Sequence, residues 1–175
     1  MRWIPLTIVA ALLFAVRAGA EDAFPHQTVD LGIVVSDVDK SVEFYTKAVG
    51  FKELPGFAGP AKTVGDAGLT DYQALSVRVL ALGDEPSATR LKLMAVPGVK
   101  TAKADNRFIH SQFGFRYLTI RVSDMKTAVE RLKKAGVQLE GKCPIALPES
   151  LGKGIFLTVF RDPDGNFLEF VGPNK

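Results

Sequence analysis

The sequence predicts an α+β fold made of two tandem βαβββ modules. Three observations carry that prediction: an internal repeat, a change of hydrophobic period inside each copy, and a hairpin signal near the C-terminus. Placing residues 31–48 (LGIVVSDVDKSVEFYTKA) over residues 118–135 (LTIRVSDMKTAVERLKKA) without gaps matches nine positions of eighteen. The matches are Leu31/Leu118, Ile33/Ile120, Val35/Val122, Ser36/Ser123, Asp37/Asp124, Val42/Val129, Glu43/Glu130, Lys47/Lys134 and Ala48/Ala135. Self-similarity of that kind marks two copies of one supersecondary unit.

Each copy opens as a strand, alternating apolar and polar over Asp30 to Val35, and then shifts to a helical spacing over Val38, Val42, Tyr45 and Val49. Ser36 and Asp37 stand at the switch, where a short polar side chain can accept hydrogen bonds from the first helical turn. Gly50 and Gly136 follow the two helices, the position of a left-handed C-terminal cap. Strand character returns over Phe51 to Phe57, Tyr72 to Leu82 and Arg90 to Val96 in the first half. In the second half it returns over Val137 to Lys142, Gly154 to Phe160 and Asn166 to Val171. The last two segments are joined by Asp162-Pro163-Asp164-Gly165-Asn166, in which proline fixes one turn dihedral and Gly165 can take positive φ. Residues 58–71 read as a loop with one helical turn. Module one is therefore expected over 28–97, a linker over 97–113 and module two over 114–173, within one domain from residue 25 to 175.

Residues 1–20 stand apart. Arg2 supplies a positive start, Ile4 to Val16 an apolar run of 13 residues, and Ala18-Gly19-Ala20 a small-residue cleavage site, the pattern of a secretory signal peptide. A permanent membrane anchor would need about 20 apolar residues. Cleavage near Ala20 is expected to give an exported protein, periplasmic or extracellular. Removing that segment takes two arginines and no acid from the 22 Lys+Arg and 19 Asp+Glu of the 175-residue chain. The remainder is almost neutral and has no long basic run, which argues against nucleic acid as a partner. Cys143 is the only cysteine, so no disulfide can form within the chain.

A tandem βαβββ repeat that ends in Asp162-Pro163-Asp164-Gly165-Asn166-Phe167-Leu168-Glu169-Phe170 resembles the vicinal oxygen chelate superfamily. That group contains glyoxalases, bleomycin- and fosfomycin-resistance proteins and extradiol dioxygenases. The resemblance spans residues 28–173. It implies that the two curved sheets form a cup, that metal-dependent relatives hold a divalent cation there, and that His, Gln or Glu ligands come from the first and fourth strands of each module. Members of the group commonly pair, so the resemblance allows a homodimer, while no feature of the sequence itself reports the oligomeric state. The matching positions here are Asp30 and Lys92 in module one and Tyr117 and Glu169 in module two. Only Glu169 is a standard ligand, because a protonated lysine has no lone pair and neutral tyrosine binds such cations poorly. His26 and His110 read as loop residues outside this set, His110 being the better outside candidate.

With Leu31, Ile33 and Val35 packed on the helix, alternation leaves Asp30, Gly32 and Val34 facing the cup. The same parity turns Arg90, Lys92 and Met94, then Tyr117, Thr119 and Arg121, then Phe167, Glu169 and Val171 toward it. The expected site has Lys92 in place of the cation, paired with Asp30 and Glu169, because uncompensated burial of any of these charges is costly. Tyr117 would donate a hydroxyl, and Arg90 and Arg121 would anchor an anion. Met94, Phe156, Phe160 and Phe167 would supply apolar contact. Two functions follow. One is a small-molecule ligand cup for an anionic organic compound, without the usual catalytic metal or another cofactor. The other is a lyase, isomerase or dioxygenase-type enzyme, using a non-standard divalent metal on Asp30 and Glu169 or metal-free acid/base chemistry by Glu169, Tyr117 and Lys92.

Overall fold

The computed structural model describes residues 28–175. The signal peptide read over residues 1–20, its cleavage point and His26 lie outside the described residues. Module one runs β1 (Asp30–Val34), α1 (Val38–Glu43) continued by a π-helical turn (Phe44–Val49), β2 (Lys52–Gly59), α2 (Ala61–Asp66), β3 (Leu75–Ala81) and β4 (Arg90–Ala95). Module two runs β5 (Tyr117–Arg121), α3 (Met125–Lys134), β6 (Ile145–Ala146), a 3₁₀ turn (Glu149–Leu151), β7 (Ile155–Arg161) and β8 (Phe167–Pro173). The strands form two four-stranded sheets, ordered β1-β4-β3-β2 and β5-β8-β7-β6. First and fourth strands pair parallel in each, and the other pairs are antiparallel.

The local chemistry accounts for the helix ends. Asp37 Oδ1 accepts from the Lys40 amide at 3.1 Å, and the Asp124 carboxylate accepts from the Lys126 and Thr127 amides at 3.2 Å each. Both satisfy donors that have no partner within a first helical turn. Gly50 and Gly136 close the helices at φ +100° and +74°, where a side chain would be strained.

One strand falls elsewhere than expected. Residues 137–142 do not form a strand. Leu139 makes an isolated bridge with Phe160 and the Glu140 amide donates to Val159 O at 2.8 Å, but Gly141 then turns at φ +57°. Cys143 Sγ takes the Val159 amide at 3.3 Å, and regular pairing resumes at Ile145–Ala146. A glycine turn and a thiol acceptor thus displace the ladder that alternation alone would have continued.

The helix-facing sides of both sheets close on one core. Leu80, Leu91 and Leu93 come from module one, Phe160, Leu168 and Phe170 from module two, and Tyr45, Ala48, Val49, Met125 and Leu132 from the helices. Arg131 of α3 donates to the carbonyls of Ala48 and Val49 at 3.0 and 2.7 Å, capping the helix of the other module. Tyr45 is fully buried, edge-on to Phe44 and Phe51, and its hydroxyl donates to Asp162 Oδ2 at 3.0 Å. Asp162 also accepts from the amides of Asp164 and Asn166 and from Asn166 Nδ2, so one buried carboxylate fixes both the β7–β8 turn and the first helix. Burial and this carboxylate push the Tyr45 hydroxyl far above the usual phenol range, so it stays a donor. No helix among the described residues is long and apolar enough to cross a membrane.

Removing the Tyr45 hydroxyl while keeping its ring leaves the buried Asp162 carboxylate one donor short. Tyr45→Phe should therefore lower the urea unfolding free energy by about 1–3 kcal/mol, and an unchanged midpoint would show that this bond does not join the modules. The Asp124 cap has a pH signature. Its carboxyl is held down to about 2, chiefly by the Thr127 hydroxyl and then by the Lys175 amide. A depressed folded-state value means that its stabilisation is present above the unfolded carboxyl value of about 3.9 and fades as pH falls through about 2. The stability difference between wild type and Asp124→Ala, measured by denaturation, should be flat from pH 5 to 8 and shrink below about pH 4.

Candidate functional site

Strand register dictates which side chains share the open faces. Gly32 lies opposite Lys92 and Val34 opposite Met94 in sheet one, while Thr119 lies opposite Glu169 and Tyr117 opposite Phe167 in sheet two. The repeat is thus kept at the level of pairing, with Asp30 matching Tyr117 and Lys92 matching Glu169. Leu31, Ile33 and Leu118 pack against the core, and Ile120, Leu91, Leu93, Leu168 and Phe170 lie in it. The intervening residues Asp30, Gly32, Val34, Arg90, Tyr117, Thr119 and Arg121 are exposed, and Lys92, Met94, Glu169 and Val171 are half-buried.

In sheet one the Lys92 ammonium meets Asp30 Oδ2 at 2.8 Å, with the two side chains 33% and 34% exposed. Met94 leans over Gly32, where a Cβ would come within 2.9 Å of Met94 Cε, so the glycine makes room for the thioether beside the ion pair. In sheet two Glu169 does not join this pair. Its Oε2 instead accepts from the Thr119 hydroxyl at 2.8 Å, directly across the parallel ladder. The structure therefore brings together Asp30 with Lys92, and Glu169 with Thr119, one couple per sheet. No ion pair links Lys92 and Glu169 among the described residues. Tyr117 is 55% exposed, and Arg90 and Arg121 are exposed at the ends of their strands.

The aromatic residues divide differently from the expectation. Phe156 and Phe160 lie opposite Gly172 and Leu168, which puts them on the helix side. Phe160 is part of the core and Phe156 packs against it. Neither lines the open face, because the alternation of β7 turns Leu157, Val159 and Arg161 there instead. Phe167 does lie on the open face, but it is buried under the Arg161 guanidinium, 3.9 Å from the ring centroid. Arg161 is held in turn by Glu140 at 2.8 Å and by the carbonyls of Asn106 and Gly165 at 2.5 and 3.0 Å. His110 is exposed in the linker and stacks on Phe108, their centroids 5.5 Å apart.

Residues that the sequence reading did not use complete the open faces. Val77, Val79 and Ala81 of β3 lie opposite Met94, Lys92 and Arg90 and are buried outside the main core. They form an apolar floor next to the ion pair. Leu157 and Val159 of β7 lie opposite Val171 and Glu169 and form a half-buried apolar strip in sheet two. Alternation in LSVRVLA carried this signal, but the more apolar set, Val77, Val79 and Ala81, faces away from the helices, while Ser76, Arg78 and Leu80 share the helix side with Leu91 and Leu93, the reverse of what hydrophobicity alone suggests.

As a donor set for a divalent transition metal, these four positions are a poor fit. The Lys92 ammonium has no lone pair to give and lies against the Asp30 oxygen that a cation would need. Tyr117 offers a phenol, and Glu169 has Thr119 on one oxygen. The open face of sheet one presents the Lys92 ammonium between an apolar floor and the Asp30 carboxylate, with Arg90 on the same strand, and that of sheet two presents the Tyr117 hydroxyl and the Arg121 guanidinium on β5.

Similar proteins share this architecture. A glyoxalase family protein from Bacillus cereus superposes with a TM-score of 0.68 at 18% identity, over 86% of this chain and 96% of that one. The trypanothione-dependent glyoxalase I of Leishmania major superposes with a TM-score of 0.56 at 25% identity, over 84% and 86% of the two chains. A lactoylglutathione lyase from Pseudomonas putida is 25% identical over 150 residues, covering 79% of this chain and 80% of the lyase. The family model matches residues 25–170, and with both modules and both first-to-fourth strand registers in place the chain belongs to the Glyoxalase/Bleomycin resistance protein/Dioxygenase superfamily.

Proposed function

We propose that this chain is an exported member of the family that binds a small anionic organic molecule on the open sheet faces, with the Lys92 ammonium standing where metal-dependent relatives hold a cation. The observation that carries this reading is the 2.8 Å contact between Lys92 and Asp30 at the first- and fourth-strand positions of module one. Arg90 and Arg121 add positive charge, Met94, Val77 and Val79 the apolar contact, and Tyr117 a hydroxyl. The leader pattern of residues 1–20 supports export. Two half-sites on separate sheets, with Gly32 and Thr119 exposed at their centres, favour a homodimer in which module one of one copy faces module two of the other.

A second reading, an enzyme of lyase, isomerase or dioxygenase type, draws on the similarity to the Pseudomonas putida lyase. In its metal-free form Glu169 would act as the base, positioned by the Thr119 hydroxyl and with Oε1 left to approach a substrate proton.

The half-exposed Lys92–Asp30 pair contributes at most about 1 kcal/mol to stability, so Lys92→Met should fold and report binding cleanly. In a thermal-shift screen of small carboxylates, wild type should be stabilised by at least one of them. Lys92→Met should lose that shift and Glu169→Gln keep most of it, whereas equal shifts for wild type and Lys92→Met would sink the assignment. Elemental analysis of the purified protein separates the readings: a stoichiometric transition metal whose removal abolishes binding would overturn the metal-free site.

A further inference from the structure

The linker between the modules carries apolar side chains that the rest of the described residues leave in solvent. Phe113 and Phe115 are 102% and 106% exposed, and Phe108 and Ile109 are also exposed. Gly114 between the two phenylalanines takes φ +113°, and a Cβ there would meet nothing within 4 Å. Such residues at the tip of a mobile tail would mean little, but this segment is tightly built. The Asp105 amide donates to Gln112 Oε1 at 2.8 Å and the Phe108 amide to Ser111 Oγ at 3.0 Å. Arg116 donates from Nε to Ile109 O at 3.0 Å, and from Nη2 to Asp105 O and Asn106 Oδ1 at 2.9 Å each. Arg161 fastens the base of the loop through Asn106 O. A folded knuckle therefore holds its aromatic tips outward.

The charges around it are one-sided. Residues 97–117 contain Lys100, Lys103, Arg107 and Arg116 against a single acid, Asp105. Arg107 holds the Asp105 carboxyl down to about 2, so that pair is neutral as a unit, and Lys100 and Lys103 lie exposed beside it. From these observations we propose that residues 107–116 form an interfacial anchor that inserts Phe113 and Phe115, with Phe108 and Ile109, into an anionic lipid surface. Protruding rings on a knuckle whose arginine side chains satisfy its carbonyls suit the boundary between head groups and acyl chains, where aromatic tips are buried and flanking cations meet lipid charge. A second copy held by this knuckle alone is the poorer occupant, because four projecting side chains fall short of the roughly 800 Å² per partner that a stable protein interface uses, and the homodimer proposed above is placed on the sheet faces instead.

The test places an indole at the tip. In the full chain with Trp3→Phe and Phe113→Trp, the introduced indole is the only tryptophan. Adding phosphatidylglycerol-containing vesicles should shift its emission to the blue and make it quenchable by brominated lipid, and phosphatidylcholine vesicles should do so weakly. Lys100→Glu with Lys103→Glu should raise the lipid needed for half the response by at least about tenfold. The same measurement with Phe115→Trp in place of Phe113→Trp guards against a local folding defect. The proposal is overturned if neither indole responds to anionic vesicles, including the case where the apolar run at residues 4–16 brings the protein to lipid while the tip stays in water. It is overturned equally by a response indifferent to lipid charge, or by emission that is already blue without lipid and varies with protein concentration, which would place the knuckle against a second copy.

Discussion

Strand alternation against a shared core is the constraint from which the rest of this molecule follows. Leu91 and Leu93 are completely buried beneath the helices of module one, and Leu168 and Phe170 beneath those of module two. Because side chains on a strand point alternately to opposite faces, burying those residues forces Lys92 and Glu169 onto the open faces. A slip of one residue would place a lysine and a glutamate in the core and three leucines and a phenylalanine in water, at several kcal/mol for each uncompensated charge. The site is thus a by-product of the packing that stabilises the fold, and its polar residues are held by rigid ladders rather than by loops.

The two modules use that constraint in different ways. In sheet one the fourth-strand cation meets a first-strand acid, so the module carries its own neutralised pair. In sheet two the fourth-strand acid meets a neutral hydroxyl and has no ion pair among the described residues. That asymmetry is the chemical content of the site: an ion pair on one sheet and a hydroxyl-bonded carboxylate on the other, with guanidinium groups at the strand ends. At the fourth-strand position of sheet one stands an ammonium, which has no lone pair to give a cation.

Asp162 shows how a single group can tie module to module. Its carboxylate accepts from the turn amides of module two and from the Tyr45 hydroxyl of module one, while Arg131 returns the contact in the other direction by capping the helix of module one. The first connection joins two side chains, and the second runs from a side chain to the end of a helix, where backbone carbonyls lack partners. The linker is bound by the same logic, with Arg161 and Arg116 taking up its carbonyls and leaving its aromatic side chains outside.

By itself the sequence determined the module pattern, the helix caps at Asp37 and Asp124, the glycine ends of both helices, the β7–β8 turn and the parity that sends Asp30, Lys92, Tyr117 and Glu169 to the open faces. These depend on interactions a few residues apart or on a period of two, and both are written in residue order. Tertiary structure alone decided that Glu169 turns to Thr119 rather than to Lys92, that Phe156 and Phe160 face the core, that Arg161 covers Phe167, and that the strand expected at 137–142 is displaced to 145–146. Each of those outcomes is a competition between partners distant in sequence, settled by which donor, ring or thiol the packing brings within reach.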